Sequence, residues 1–270
     1  MNLIVVFNYN YSQFFEKLFE SFVLNNVVNN KNFKIVLCDD GSSDESLNVA
    51  NDIKIHHSIS NLDIISVRPY NSSSRSIRSF GQIEALMKVE KEYLGDLSSS
   101  DLIFLTDADD FYPEDYFTSV VKAVPLSQAS GYMASVENVS PLGEFLSRKE
   151  IVRPIGKNRG IWPTITCTSG ITVTKEFFNT NRDALLDINP IFSDVWLDSR
   201  ICMIANSRAN FRYLDNKFFR VIHGANDSTT SNYKRKLLKQ VQAARFYMKC
   251  SNSLGIRVRL LHLIGQVFKV

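Results

Sequence analysis

Apolar residues in this chain come in short unbroken runs separated by amphipathic stretches, and the two alternate through the first half. Leu3 to Phe7, Phe33 to Cys38, Leu62 to Val67 and Leu102 to Thr106 are four such runs, each of strand length. Between them, Tyr11 to Val28 and Ile77 to Leu94 carry apolar residues at helical spacing. Ser42 or Ser43 caps a further helix running towards Ile55, and Pro113 suits the first turn of one reaching about Val124. A strand that is apolar at successive positions has to be covered on both faces. The pattern therefore predicts an α/β fold: a mostly parallel, Rossmann-like sheet flanked by helices. The second half is less regular. Gly131 to Val136 and Thr164 to Thr174 read as strands and Asp194 to Ala205 as a helix. The stretch from Glu137 to Pro163, with Pro141, Pro154 and Pro163, reads as loops. From Lys234 onward the spacing predicts a C-terminal extension of two helices. Leu237, Leu238, Val241, Ala244 and Met248 share one face of the first; Ile256, Leu260, Leu263, Ile264 and Val267 share one face of the second.

Composition adds a charge asymmetry. The chain has 270 residues, 44% hydrophobic and 22% charged, with a formal net charge of +3, which is ordinary for a soluble globular protein. No Asp or Glu follows Asp227, whereas Lys234, Arg235, Lys236, Lys239, Arg245, Lys249, Arg257, Arg259 and Lys269 do. The amphipathic tail is thus basic, which suits either an anionic membrane surface or packing on the globular part or on a second copy in a homo-oligomer. Cys38, Cys167, Cys202 and Cys250 show no metal-ligand or disulfide spacing and read as buried free thiols of a reducing compartment. The N-terminal apolar run is too short for a signal peptide, and no run reaches the ~18 residues that span a bilayer. These features predict a cytoplasmic location, with attachment to the inner face of the membrane through the tail. Nothing points to nucleic acid.

The chemistry concentrates where strands end. Leu102 to Thr106 runs into Asp107-Ala108-Asp109-Asp110, three carboxylates gathered at one point. Without a cation such charges raise one another's pKa, and Mg²⁺ or Mn²⁺ bind carboxylates together with substrate phosphates. The strand Phe33 to Cys38 likewise ends in Asp39-Asp40-Gly41-Ser42-Ser43-Asp44, where a carboxylate can accept hydrogen bonds from a base or ribose and Gly41 permits a close turn. Ligands of parallel sheets bind beyond the carboxyl ends of strands, so both clusters belong to one rim.

The two clusters, in this order and on this background, resemble glycosyltransferase family 2, whose members have the GT-A fold. The likeness covers residues 1–125 closely and 165–230 more loosely. It rests on Asp39 to Asp44, on Asp107 to Asp110 and on the opening Val5-Val6-Phe7-Asn8-Tyr9-Asn10, where Phe7-Asn8 stand in place of the family's usual Pro. The resemblance implies a GT-A domain over residues 1–230, with a nucleotide-sugar-binding part over 1–125 and an acceptor-binding part over 126–230. The tail over 231–270 follows. It implies transfer of one sugar, with inversion, from a nucleotide-sugar donor to a glycan or lipid-linked acceptor in surface polysaccharide biosynthesis, with Mg²⁺ or Mn²⁺ as cofactor. Asn8, Tyr9, Asp39, Arg78 and Asp107 would bind the nucleotide sugar, with Arg68 or Arg75 as the alternative to Arg78 for pairing with the diphosphate. Asp109, Asp107 and His223 would hold the metal. Phe192-Ser193-Asp194-Val195-Trp196-Leu197-Asp198 is similar to the family's Glu-Asp segment with Ser193 replacing Glu, which makes Asp194 the base and Asp198 its reserve. Gln242-Ala243-Ala244-Arg245-Phe246 is a partial match to the Gln-x-x-Arg-Trp box of processive members. The alternatives are a catalytically degenerate nucleotide-binding or scaffolding protein, which the Ser193 departure allows, and a phosphatase of the haloacid-dehalogenase type, which also carries Asp-x-Asp after a strand.

Overall fold

The computed structural model describes residues 1–69, 80–123, 129–149, 166–207, 210–224, 233–250, 259–261, 263 and 265. Its four predicted strands form β1 (Asn2–Asn8), β2 (Phe33–Asp39), β3 (Leu62–Ser66) and β4 (Leu102–Asp107). They pair in parallel in the order β3-β2-β1-β4. Alternate side chains of each run enter different cores. Leu3, Val5 and Phe7 of β1, Val36 of β2 and Ile103 of β4 face one side; Ile4, Val6, Ile35, Leu37 and Phe104 face the other. Unbroken apolar runs are the consequence of that two-sided burial, with each buried aliphatic side chain contributing ~1.5–3 kcal/mol.

Helix α1 (Phe15–Leu24), α2 (Ser46–His56) and α4 (Tyr116–Ala123) cover one face, through Phe15, Phe19 and Phe22 of α1, Ala50 of α2 and Phe117 of α4. Helix α3 (Gly81–Tyr93), α5 (Lys175–Leu185), α6 (Leu197–Ser207) and α7 (Tyr233–Cys250) cover the other. Helix α5 has no counterpart among the elements that the apolar pattern predicts. Thr174 caps it, its Oγ1 accepting the Phe177 N–H at 3.1 Å, and its buried Phe177, Phe178, Asn181, Ala184 and Leu185 lie at helical spacing.

Beyond β4 the sheet becomes mixed and continues through β8 (Ile171–Thr174), β6 (Gly131–Val139), β9 (Phe211–Val221) and β5 (Asp110–Phe111), with β4/β8, β8/β6 and β9/β5 antiparallel and β6/β9 parallel. Several elements differ from expectation: α6 starts at Leu197 rather than Asp194, and the strand expected over Thr164 to Thr174 is confined, among the described residues, to β8 behind a 3-10 turn at Thr168–Gly170. The stretch expected as loops from Glu137 begins instead as a hairpin: β6 runs to Val139, turns at Gly143 (φ +88°) and returns as β7 (Phe145–Lys149). Every residue of β7 is exposed, so it carries no apolar alternation from which to read a strand. The remainder of that stretch lies outside the described residues. In α7 the buried face is Val241, Ala243, Ala244, Phe246, Tyr247 and Cys250, while Leu237 and Met248 stand exposed. The helix is therefore rotated from the predicted stripe, and it packs in the same core as α3 and α6. No described helix is long and apolar enough to cross a membrane.

Candidate active site

Parallel register brings the acidic ends together. Asn8 pairs with Asp39 across β1 and β2, and Phe7 with Asp107 across β1 and β4. The loop after β1 is then stitched to the loop after β2. Asn8 Nδ2 donates to Asp39 Oδ1 at 2.7 Å and to Ser42 Oγ at 3.1 Å. Ser42 Oγ donates to Asp39 Oδ1 at 2.5 Å and accepts the Asn10 N–H at 2.9 Å. Asn10, at φ +59°, accepts the Ser43 N–H at 2.7 Å through its side chain. Asp44 accepts the N–H groups of Ser12 at 3.1 Å and Ser46 at 3.0 Å. Burial pushes the Asp44 carboxyl up, but these hydrogen bonds outweigh it and hold it below the usual carboxylate range. Much of the Asp39 to Asp44 signature thus serves to fix two loops against each other.

A cleft of about 280 Å³ opens on this rim. Phe7, Asn8, Tyr9, Asp40, Gln82, Asp107, Asp109, Asp110, Thr168, Trp196, Asp198, Arg220 and Lys239 are among the residues that line it. Asp39 is wholly buried beneath it, and Asp40 supplies the carboxylate at the wall. Asp40 pairs with Arg68 at 3.3 Å, and Arg68 pairs also with Glu84. Arg75 and Arg78 lie outside the described residues.

At the opposite wall the carboxylates crowd. Gln82 Nε2 donates to Asp107 Oδ1 at 2.7 Å and to Thr168 Oγ1 at 3.3 Å. Ser169 Oγ donates to Asp110 Oδ2 at 2.6 Å and accepts the Asp107 N–H at 2.9 Å. Burial, then the charges of Asp109 and Asp198, raise Asp107 to about 7. Burial with the charges of Asp109 and Asp107 lifts Asp110 well above its ordinary value. Arg220 reaches in from β9. Burial alone would lower its pKa, but charges including those of Asp110, Asp107 and Asp109 raise it.

Asp109 Oδ2 stands 2.8 Å from His223 Nε2. The imidazole is held by Tyr11 and Phe14, whose ring centroids lie 5.5 and 4.9 Å from it. Among the described residues no three His, Cys, Asp or Glu side chains converge on a point that would hold an ion by themselves. The donor set nevertheless fits a divalent cation of the Mg²⁺ or Mn²⁺ kind. One carboxylate and one imidazole touch each other beside Asp107, and such ions take their remaining ligands from water and substrate phosphate.

Of the two carboxylates weighed as the base, Asp198 lines the cleft; Asp194 lies outside its lining. Asp198 Oδ1 accepts the Ser199 N–H at 2.6 Å, and burial raises its pKa. Asp194 sits in the turn before α6, where Gln242 Oε1 accepts its N–H at 2.6 Å and Gln242 Nε2 donates to Ser193 Oγ at 3.1 Å. The Gln-x-x-Arg-Phe segment of α7 therefore clasps the turn that leads into α6.

Arg200 anchors the same region from beneath. It is fully buried and donates to the carbonyls of Val195 at 2.9 Å, Leu185 at 2.9 Å and Asp187 at 2.7 Å. Burial lowers its pKa to about 10, against the opposing influence of Asp187 and Cys250. Arg200→Met is expected to leave these carbonyls unsatisfied and to destabilise the fold by about 3 kcal/mol. Urea unfolding measures this, and a loss under about 1 kcal/mol would show the anchor to be dispensable.

The crowded carboxylates also set a pH dependence. A carboxyl with a raised folded pKa binds its proton more tightly folded than unfolded. Its contribution to stability is therefore present at low pH and lost as pH rises through the folded value, about 7 for Asp107. The metal-free protein should show a Tm that falls between about pH 4 and pH 7. Asp107→Asn should flatten that fall; an equally steep fall in the variant would rule out Asp107 as its source.

A sheet that starts parallel, becomes mixed past its central strand and gathers carboxylates at the strand ends is the GT-A architecture of nucleotide-sugar transferases. A family model described as Glycosyl transferase family 2 matches residues 3–178. The chain belongs to that family of glycosyltransferases, which sets aside the phosphatase alternative. Similar solved structures include S. aureus TarS 1-349 in complex with UDP-GlcNAc, 12% identical with a TM-score of 0.65, covering 100% of this chain and 73% of that one. Another is the mannosyltransferase PcManGT from Pyrobaculum calidifontis in complex with GDP-Man and Mn²⁺, 14% identical with a TM-score of 0.53, covering 96% of this chain and 67% of that one. No curated protein sequence matches the chain.

Proposed function

We propose that this protein transfers one sugar, with inversion, from a nucleotide-sugar donor to a glycan or lipid-linked acceptor in surface polysaccharide assembly, assisted by Mg²⁺ or Mn²⁺. The observation that carries the reading is that Asp107, Asp109, Arg220 and Asp198 line one cleft, with His223 against Asp109. Asn8, Tyr9 and Asp40 form the nucleotide end, and Asp39 acts from behind by fixing Asn8. Asp109 and His223 hold the cation, with Asp107 beside them. When bound, the cation neutralises charge on the donor diphosphate as the bond to the sugar breaks. Asp198 takes the proton from the acceptor hydroxyl as that oxygen attacks the anomeric carbon. A half-buried carboxylate with a raised pKa is suited to that task at neutral pH. One base and one displacement give inversion.

Thermal melting with UDP-, GDP- and dTDP-sugars, each with and without Mn²⁺, tests this reading. One nucleotide class is expected to raise Tm, and to do so only with the metal. No shift with any donor in the presence of Mn²⁺ or Mg²⁺ would remove the proposal and favour the scaffolding alternative. Product mass analysis with the donor so found then identifies the sugar.

A further inference from the structure

We infer that the β6–β7 hairpin is a membrane-contacting element, which dips into the interface of an anionic bilayer and sets the cleft against it. This goes beyond sugar transfer and does not depend on it. Three large apolar side chains stand in water at the hairpin: Leu142 is 85%, Phe145 63% and Leu146 51% exposed. Phe145 and Leu146 are consecutive in a strand and so point to opposite faces. Neither face of the strand is covered, and a flat partner would bury only one of them.

The charge around these side chains is cationic. Arg148 and Lys149 follow on the same strand, both exposed. Lys17 of α1 approaches the tip closely enough that a Cβ on Gly143 would lie 2.7 Å from its Nζ. Of the acidic residues among the described residues of the hairpin, Glu137 is paired with Lys217, and Glu144 stands at the turn; Glu150 lies outside the described residues. Apolar side chains flanked by Lys and Arg are the chemistry that an anionic lipid surface recognises.

The backbone of the tip is ready for such an interface. The Ser140 N–H donates to the Glu144 carbonyl at 2.8 Å, and the Gly143 N–H to the Ser140 carbonyl at 2.8 Å. The Glu144 N–H donates to Ser140 Oγ at 3.1 Å. These groups can leave bulk water without losing partners. A second copy of the chain is the poorer occupant. Three side chains expose roughly a few hundred Å², well under the ~800 Å² that each partner gives to a stable interface.

The hairpin also lies where contact would matter. Strand β7 pairs with β6 at Val136 to Val139, along the edge that β8 occupies at Gly131 to Met133. Past the start of β8 lie Thr168 and Ser169, which bond Gln82 and the Asp107 backbone at the cleft wall. The charge of Lys149 is felt at Asp198. A bilayer under this hairpin would therefore lie beside the wall of the cleft that carries Thr168 and Asp198.

The test is sedimentation of the full chain with phosphatidylcholine vesicles, with and without phosphatidylglycerol. Wild type should bind the anionic vesicles and bind pure phosphatidylcholine much more weakly. The triple variant Leu142→Ser, Phe145→Ser, Leu146→Ser should lose at least about tenfold in affinity with an unchanged Tm, since these side chains have little burial to lose. Phe145→Trp should shift its emission to the blue when anionic vesicles are added. The C-terminal tail supplies the internal comparison, because Leu260 and Leu263 are 57% and 55% exposed. Binding that survives in the triple variant, or that disappears only in Leu260→Ser, Leu263→Ser, overturns the inference. So does a wild-type dimer that the hairpin variant dissociates, which would give the surface to a second copy.

Discussion

Asp198→Asn is expected to lower kcat by about 10²–10⁴-fold while donor binding stays as in wild type. Asparagine keeps the size of the side chain and the hydrogen bond accepted from the Ser199 N–H, but it cannot take a proton. The donor should still bind, because Asp109, His223 and the loops around Asn8 and Asp40 are untouched. Asp194→Asn separates the two carboxylates that the sequence left open. Its backbone is held by Gln242 whichever side chain it carries, so this variant should retain most of its rate. Were Asp194→Asn dead and Asp198→Asn active, the base would be Asp194 and the turn before α6 would have to reorganise on acceptor binding. A pH profile adds a second reading. A base works deprotonated, so kcat should rise with pH through the pKa of Asp198. Burial raises that pKa, so the acidic limb should lie above the ordinary carboxylate range and vanish in Asp198→Asn.

The distinction between Asp194 and Asp198 marks the limit of what the chain alone discloses. Strands with continuous apolar runs could be read because two-sided burial leaves a one-dimensional trace. Their carboxyl ends could be placed on one rim because parallel strands share a direction, and Asn8, Asp39 and Asp107 do fall there. Which of two neighbouring carboxylates enters the cleft depends on side-chain direction, which has no such trace. Asp40 rather than Asp39 reaches the wall because Asn8 and Ser42 draw Asp39 inward. Asp198 reaches it because the first turn of α6 starts at Leu197, three residues later than the spacing suggested. Gln82, Thr168 and Lys239 come from a helix start, a short turn and the basic tail. None of those residue types is distinctive in such places, and only the packing of distant segments brings them together. Gln242 is a partial exception: the family box around it was visible, but its role in holding Ser193 and Asp194 was not.

Removal of either member of the Asp109–His223 pair should uncouple donor binding from metal. Asp109→Asn keeps a neutral oxygen near His223 but lacks the charge that draws a divalent ion. Its kcat/KM is expected to fall by about 10³-fold, corresponding to several kcal/mol of lost charge stabilisation. His223→Ala should fall less, about 10–100-fold, because a carboxylate remains and water can take the place of the imidazole. The discriminating measurement is the Mn²⁺ dependence of the donor-induced rise in Tm. In Asp109→Asn the rise should be lost at Mn²⁺ concentrations that saturate wild type, and in His223→Ala it should return when more Mn²⁺ is added. Asp109 Oδ2 and His223 Nε2 are only 2.8 Å apart, so the same contact also fits a hydrogen bond that merely positions the carboxylate. His223→Gln distinguishes these roles: its amide can donate to Asp109 but is a weak ligand for the ion. Full Mn²⁺ response in His223→Gln would make His223 a positioning residue and leave Asp109, with Asp107, to hold the cation.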